Sequence, residues 1–331
     1  MDETQATARA LAGWGLPPAP TARLTGGAVN EHWRVDAPSG GRLVLRRYNP
    51  RHADRAIPYE HALLRFLAER RWPVAAPLAT PTGDTVFETE DGRWSLFPFL
   101  EGSPPPHEPL YQQRKGAVLA LLHEDMAEWD APGQRPTFGR VTDLDVQVRA
   151  DGFESFAALV TWFGERDRER AAALAGFRER NLGALVRLGY DAQPDVVIYN
   201  ECLANNVLFQ EGDVTALLDF DLAHEDARVT DVARSLLVDC WPSGRDLHYW
   251  MAGYAAHARP RLRVAEVDLI PALMVANELW NTAVPLAISA HAAEPWMLPS
   301  VRRSLDERLP ALEAAQSDLR QIVRVGAGFP A

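Results

Sequence analysis

Residues 196–236, VVIYNECLANNVLFQEGDVTALLDFDLAHEDARVTDVARSL, decide how the chain is read. Apolar runs at Val196 to Tyr199, Val207 to Phe209 and Thr215 to Phe220 are strand signals, and Gly212-Asp213 turns the second run back into the third. That hairpin holds Asn206 and Asp219 at the same end. Glu201 lies on a loop five residues before Asn206. An Asn carbonyl and an Asp carboxylate are hard oxygen ligands, suited to magnesium carrying a nucleotide's phosphates. An acid one short loop away can accept a proton from an attacking hydroxyl. Taken singly, an Asn and an Asp at hairpin ends are ordinary turn residues. Glu201 on the adjoining loop is what sets this pair apart.

Beyond Asp231 the helical pattern continues to about Val325. Before the quoted stretch, Phe153 to Val186 reads as one or two long helices with acids and bases interleaved on the wet face. Tyr111 to His123 reads as an amphipathic helix. Proline marks a border upstream of it: Phe97-Pro98-Phe99-Leu100-Glu101-Gly102-Ser103-Pro104-Pro105-Pro106 cannot be regular structure throughout. The first hundred residues are mainly strand. Leu24 to Val35 carries a Gly26-Gly27 turn, and further strands are expected over Arg42 to Tyr48, Pro77 to Ala79, Thr85 to Glu88 and Arg93 to Phe97. Helices are expected over Thr4 to Trp14 and Pro58 to Arg70. The pattern predicts an α+β chain: a small antiparallel β-rich lobe over 1–98, a linker over 99–106, and a large, mainly helical lobe over 107–331.

At 331 residues, with 47% hydrophobic and 24% charged, the chain can bury a sizeable core; disordered and collagen-like classes are excluded. A net charge of -11, from 34 Lys+Arg and 45 Asp+Glu, argues against nucleic acid as partner, which needs a basic face. The same balance leans towards a cationic small molecule. Two cysteines, Cys202 and Cys240, belong to no CxxC pair, so neither a disulfide framework nor a structural zinc is indicated. A reduced, cytoplasmic setting is expected. The N-terminus MDETQATARALAGWGLPP lacks the apolar core of a secretory signal, and no stretch reaches the roughly 18 apolar residues of a membrane span.

The order Glu201, Asn206, Asp219, Asp231 resembles the catalytic loop and metal-binding aspartate of the protein-kinase-like fold. More narrowly, it resembles the small-molecule kinases of the aminoglycoside phosphotransferase, choline kinase and type II homoserine kinase superfamily. That family runs H-x-D-x-x-x-x-N, a strand pair, I-D-F or a close variant, then D-x-A at a helix start. This chain has Tyr199-Asn200-Glu201, Asn206, Asp219-Phe220 and Asp231-Val232-Ala233, with matching spacing. The resemblance extends over nearly the whole chain. It implies a bilobal fold, ATP and Mg2+ as cofactors, and transfer of the γ-phosphate to a hydroxyl of a small molecule. It assigns Gly26 and Gly27 to a nucleotide-covering hairpin, and Arg46, fixed by Glu60, to the α/β-phosphates. Phe97, Phe99 and Leu100 fall in the hinge where adenine docks. Asn206 and Asp219 become the magnesium ligands, Glu201 the group that orients and deprotonates the acceptor, and Asp231 a brace for the catalytic loop. Arg47 is the rival for the phosphate role; strand alternation lets only one of the two serve, and Arg46 is preferred.

The departures carry a second reading. Tyr199 and Glu201 stand where the family has His and Asp, and Arg46 stands where it often has lysine. The extra methylene of glutamate moves the carboxylate by roughly a bond length, and misplacement by about 1 Å can cost on the order of a hundredfold in rate. A pseudokinase, binding nucleotide or another ligand with weak or no turnover, is the alternative. The lack of an A-P-E after Asp219-Phe220-Asp221 speaks against a protein acceptor. Aminoglycoside, choline-like amine, homoserine, macrolide and sugar acceptors stay open, as do ATP versus GTP and the oligomeric state. Trp241, Trp250, Trp280 and Trp296, with Asp239, Glu278 and Glu294, supply candidate walls for an acceptor amine.

Overall fold

The computed structural model describes residues 3–24, 30–37, 40–50, 56–291 and 298–331. They fall into two compact units. One takes in the chain up to Pro104 together with Asn205–Asp221; the other comprises Pro105–Ala204 and Leu222–Ala331.

In the first unit, strands β1 (Thr21–Arg23), β2 (Glu31–Asp36), β3 (Arg42–Arg47), β4 (Phe87–Thr89) and β5 (Gly92–Pro98) form an antiparallel sheet in the order β1-β2-β3-β5-β4. Alternation along the strands sorts its two faces. Trp33, Val35, Leu45, Trp94 and Leu96 form one core with Ala6, Ala10 and Leu11 of helix α1 (Glu3–Ala12) and with Trp14 just beyond it. The alternate row sets His32 opposite Arg46, and Arg46 opposite Ser95. Helix α2 (Ala56–Glu69) brings Glu60 to this row. The strand expected over Pro77 to Ala79 does not form. Leu78 N–H reaches Leu96 O at 2.8 Å, but Pro77 has no N–H to extend the ladder.

Past β6 (Val196–Ile198), which belongs to the second unit, the chain returns to the first as the hairpin β7 (Val207–Gln210) and β8 (Asp213–Leu217). Its edges find backbone partners far away in sequence. Leu217 N–H donates to Pro73 O at 2.8 Å, and Ser103 and Phe209 exchange bonds of 3.1 and 2.9 Å. Gly102, at φ +147°, permits the approach: a Cβ there would lie 2.8 Å from Leu208 Cβ. The contiguous 107–331 span read from the sequence therefore contains a segment that packs with the residues before it.

The second unit holds helices α3 (Pro109–Met126), α4 (Leu144–Ala150), α5 (Phe156–Gly164), α6 (Arg168–Arg187), α7 (Arg228–Ser235), α8 (Gly244–His257), α9 (Val264–Ala290), α10 (Leu298–Arg303), α11 (Leu309–Ala314) and α12 (Gln316–Gly326). Strand β6 pairs antiparallel with β9 (His224–Asp226). The break between α5 and α6 has a local cause: Asp167 caps α6 by accepting Arg170 N–H at 3.1 Å. Helix α9 buries residues around its whole girth, as a central helix must. Helices α3 and α8 approach so closely that a Cβ on Gly116 or Gly253 would strike the carbonyl of Trp250 or Gln113.

Candidate active site

In the first unit, the β7–β8 hairpin does bring Asn206 and Asp219 to one end. Val207 pairs with Leu217, and Leu218 N–H donates to Asn206 O at 2.8 Å. Asp219 follows at φ +62°, a left-handed conformation that Asp tolerates, and is exposed. Two residues on, Asp221 is buried and accepts from Asn30 Nδ2 at 3.0 Å. Asn30 Oδ1 in turn accepts Asn49 N–H at 3.1 Å. Asn206 and Asp219 thus lie just beyond the same end of the ladder, each with a hard oxygen to offer. Among the described residues no group of three or more His, Cys, Asp or Glu could hold a metal ion. Two hard oxygens from the protein are the kind of donor magnesium takes when it keeps waters and phosphate oxygens as most of its ligands.

Arg46 is buried, and two of its nitrogens are engaged. Nη1 donates to Glu60 Oε1 at 2.7 Å and Nε to His32 Nε2 at 2.9 Å. The second bond requires a bare Nε2. Burial, helped by the Arg46 charge and opposed by Asp221, pushes the His32 pKa down to about 4, so the ring is neutral near pH 7. Burial alone would lower the pKa of Arg46 too. Glu60 above all, with Tyr48, Asp219 and Asp221, outweighs it and holds the guanidinium charged beyond its ordinary range. Arg47 sits in the other row, where its Nε donates to Glu31 Oε2 at 2.6 Å and its guanidinium lies 5.6 and 5.4 Å from the Trp33 and Trp94 rings. The Phe97 ring lies 5.1 Å from the Arg46 guanidinium carbon. Phe99 N–H donates to Arg42 O at 3.1 Å, and Leu100 follows half-buried. Gly26 and Gly27 lie outside the described residues.

In the second unit, the loop after β6 is pinned along its length. Asp231 Oδ2 accepts Tyr199 N–H at 2.8 Å, the bracing expected of it. The same oxygen lies 3.0 Å from His123 Nε2, and the other ring nitrogen lies 2.8 Å from the Tyr254 hydroxyl. One helical turn further along α7, Arg234 sends Nε to Asn200 O at 2.6 Å, Nη2 to Glu201 Oε1 at 2.5 Å and Nη1 to Asn281 Oδ1 at 3.0 Å. Its guanidinium carbon lies 5.2 Å from the Trp280 ring. Asn200, at φ +63°, adopts the left-handed turn that Asn accepts more readily than most residues. At the far end Asp239 accepts Ala204 N–H at 3.1 Å and pairs with the buried Lys115.

Several sequence candidates are thereby reassigned. Asp239 is committed to Lys115 and the loop backbone, and Glu278 pairs with Arg308 at 2.9 Å. Trp250 is fully buried and stacked on Tyr254. Glu294 and Trp296 lie outside the described residues. Cys202 is a buried thiol whose pKa burial raises well above the usual range, so it is inert. Two contributors had no place in the sequence reading. His32 faces Arg46 through a cross-strand register that the sequence leaves open. Arg234 left one signal: it lies three residues after Asp231, on the same face of a helix.

A model of the phosphotransferase enzyme family matches residues 21–265. Homoserine kinase of Caulobacter sp. (strain K31) is 27% identical over 254 residues, which covers 75% of this chain and 74% of that one. Homoserine kinase of Polaromonas naphthalenivorans (strain CJ2) is 26% identical over 274 residues, covering 78% and 81%. Among solved structures, an amicoumacin kinase in complex with AMP-PNP, Ca2+ and Ami has a TM-score of 0.73 at 15% identity, covering 94% of each chain. The microcompartment-associated aminopropanol kinase has a TM-score of 0.65 at 17% identity, covering 98% of this chain and 99% of that one. The α+β, protein-kinase-like fold expected from the sequence is the one these neighbours share.

Proposed function

The chain belongs to the phosphotransferase enzyme family and is an ATP-dependent kinase of a small-molecule hydroxyl; on that premise we propose how its residues divide the work and which acceptor it takes. Arg46, held by Glu60 and His32, neutralises phosphate charge, while Gly26, Gly27, Phe97, Phe99 and Leu100 contact the nucleotide. Asn206 and Asp219 hold magnesium, which when bound offsets charge on the phosphate oxygens. Glu201 accepts a hydrogen bond from the acceptor hydroxyl, aims its oxygen at the γ-phosphorus, and takes its proton as the new O–P bond forms and the bond from the γ-phosphorus to the bridging oxygen breaks, releasing ADP. A loose phosphoryl-transfer transition state asks mainly for positioning and charge neutralisation, so a glutamate can serve where the family has aspartate.

The observation that carries this reading is the gathering of Asn206, Asp219 and a charged Arg46 in one unit. A metal-bound triphosphate needs that combination of hard oxygens and a fixed cation. The reading as a module without turnover draws no support from the relatives, which are named as kinases. For the acceptor we favour a small amine-bearing alcohol, with L-homoserine first. The curated relatives are homoserine kinases, one structural neighbour acts on an aminopropanol, and a net charge of -11 favours a cationic group. Two free, buried cysteines suit a reducing compartment, which supports a cytoplasmic setting. Among the described residues no helix is long and apolar enough to cross a membrane.

Calorimetric titration of ATP, with and without magnesium, tests the site. Saturable, magnesium-dependent binding that disappears in Asp219→Asn supports it; a folded wild type that binds neither ATP nor GTP overturns it. Homoserine-dependent release of ADP then tests the acceptor, with aminopropanol as the next probe.

A further inference from the structure

We infer that Arg234 is a positioning residue for Glu201, the partner that makes the longer acid usable, and that the two act as one unit. The inference rests on the role proposed above for Glu201 and extends it to a residue on another element.

A glutamate at this position has one more rotatable bond than an aspartate. Left to itself it would populate several rotamers. Most of them displace the carboxylate by more than about 1 Å, a shift that can cost on the order of a hundredfold in rate. Arg234 removes that freedom. Its Nη2 holds Glu201 Oε1 at 2.5 Å while its Nε holds Asn200 O at 2.6 Å. One planar, rigid guanidinium therefore ties the carboxylate to the backbone of the residue before it. The arginine cannot follow a wandering acid, because Nη1 is bonded to Asn281 Oδ1 at 3.0 Å and the guanidinium lies over Trp280. Both partners are buried, with Glu201 8% and Arg234 6% exposed.

The surrounding geometry makes this a device for the loop and its side chain together. Asp231, three residues earlier on α7, accepts Tyr199 N–H, so Tyr199, Asn200 and Glu201 each meet the same helical turn. Bracing the loop alone needs only the Asn200 carbonyl. Nη2 goes instead to a side chain able to take a proton. An aspartate carboxylate in the same backbone would end about 1.5 Å short of Nη2. Loose phosphoryl transfer asks the base chiefly to orient the hydroxyl, so a fixed carboxylate is what the reaction needs.

The test measures ADP release from magnesium-ATP, with L-homoserine as probe acceptor and with water alone, in wild type, E201Q, R234Q, R234K and the E201Q/R234Q double variant. R234Q should lower kcat by roughly tenfold to a hundredfold, the penalty of a misplaced group, and leave the KM for ATP within about twofold. R234K should recover part of the loss. R234Q should add little to E201Q, because residues acting as a unit are not additive. Wild-type kcat in R234Q, or losses that multiply in the double variant, overturns the proposal while leaving the Glu201 role intact. Wild-type turnover in E201Q overturns that role and this proposal with it; if the wild type releases no ADP with L-homoserine the same variants are read with aminopropanol, and no release with either acceptor overturns the kinase reading and this proposal together. Should R234Q fail to fold, R234K decides: a reduced kcat at an unchanged Tm supports the pairing, and a wild-type kcat overturns it.

Discussion

Two of the buried arginine–glutamate pairs among the described residues, Arg46–Glu60 in the first unit and Arg234–Glu201 in the second, are built as opposites. In the first unit Arg46 is the proposed working group and Glu60 its anchor; in the second Glu201 is the working group and Arg234 its anchor. Side-chain exposures are similar, 11% and 2% for the first pair, 8% and 10% for the second. In both, the anchor sits on a helix, α2 or α7, and the working residue on a strand or a loop. A buried ion pair is weak evidence for stability, because desolvation offsets much of the Coulomb attraction. The two pairs make better sense as devices for orientation, and substitution of each working group and its anchor should then produce different kinetic signatures.

Glu201→Gln carries the largest expected effect. Losing a general base lowers kcat by about a hundredfold to ten-thousandfold, and the KM for ATP should hardly move. Steady-state kinetics at saturating ATP checks this. A loss seen in KM instead would make Glu201 a second nucleotide anchor and remove the contrast with Arg46. Asp219→Asn comes next, and asparagine is chosen because it tolerates the left-handed conformation at φ +62°. Magnesium-dependent ATP affinity should fall by at least the roughly tenfold to hundredfold that follows from disturbing a metal ligand. The apo Tm should stay nearly constant, because the side chain is exposed. Calorimetry and thermal shift separate the two.

Glu60→Gln sharpens the comparison from the other side. It removes a charge-assisted bond of 2.7 Å from Arg46, a contact worth about 1.5–3 kcal/mol. The KM for ATP should rise by roughly tenfold or more, with kcat less affected. R234Q is expected to do the reverse. Equal effects on kcat and KM in both variants would show that the two anchors serve one common function.

The first pair was legible in the sequence and the second was not, for physical reasons. A strand alternates its side chains, so Arg46 and Arg47 had to face opposite ways, and the family resemblance named Glu60, on the helix between strands, as the partner. The structure follows that logic, with Arg47 drawn instead to Glu31, Trp33 and Trp94. Arg234 lies 33 residues from Glu201, on a helix whose residues from Val229 to Ser235 are all buried. No periodicity marks one buried arginine on such a helix as the partner of a loop acid. The hairpin carrying Asn206 and Asp219 was legible as a hairpin, through Gly212-Asp213. Its membership of the first unit was not, because it depends on backbone bonds to Pro73 and Ser103. β9, His224-Glu225-Asp226, lacks any apolar run, and only its pairing with β6 makes it a strand.

The smallest effect concerns acid, and it extends the comparison to the histidines of the two units. In the first, His61 lies 2.8 Å from the Tyr48 hydroxyl and 2.7 Å from the Thr85 hydroxyl. Burial, then the charges of Arg46 and Arg65, pushes its pKa down to about 3. In the second, His224 bonds Leu222 O at 2.7 Å; burial, with Arg135 in support and the Leu222 carbonyl opposing, pushes it down to about 4. Both folded values lie below the ordinary 6.5. Between the folded value and 6.5 the unfolded chain binds more protons, so stability rises with pH. The contribution is complete above pH 6.5 and is lost as pH falls, at about 1.4 kcal/mol per pH unit for each ring. Melting curves from pH 8 to 4.5 should show this loss, and His61→Gln and His224→Gln should each flatten it. The Arg46 charge is part of what keeps His61 neutral, so the acid response of the first unit reports on the same cation proposed to hold phosphate. If His61→Gln leaves the slope unchanged while His224→Gln flattens it, His61 is protonated in the folded protein. The charge on Arg46 would then act on its surroundings less strongly than its bonds to Glu60 and His32 imply, and the opposition between the two pairs would weaken at the first of them.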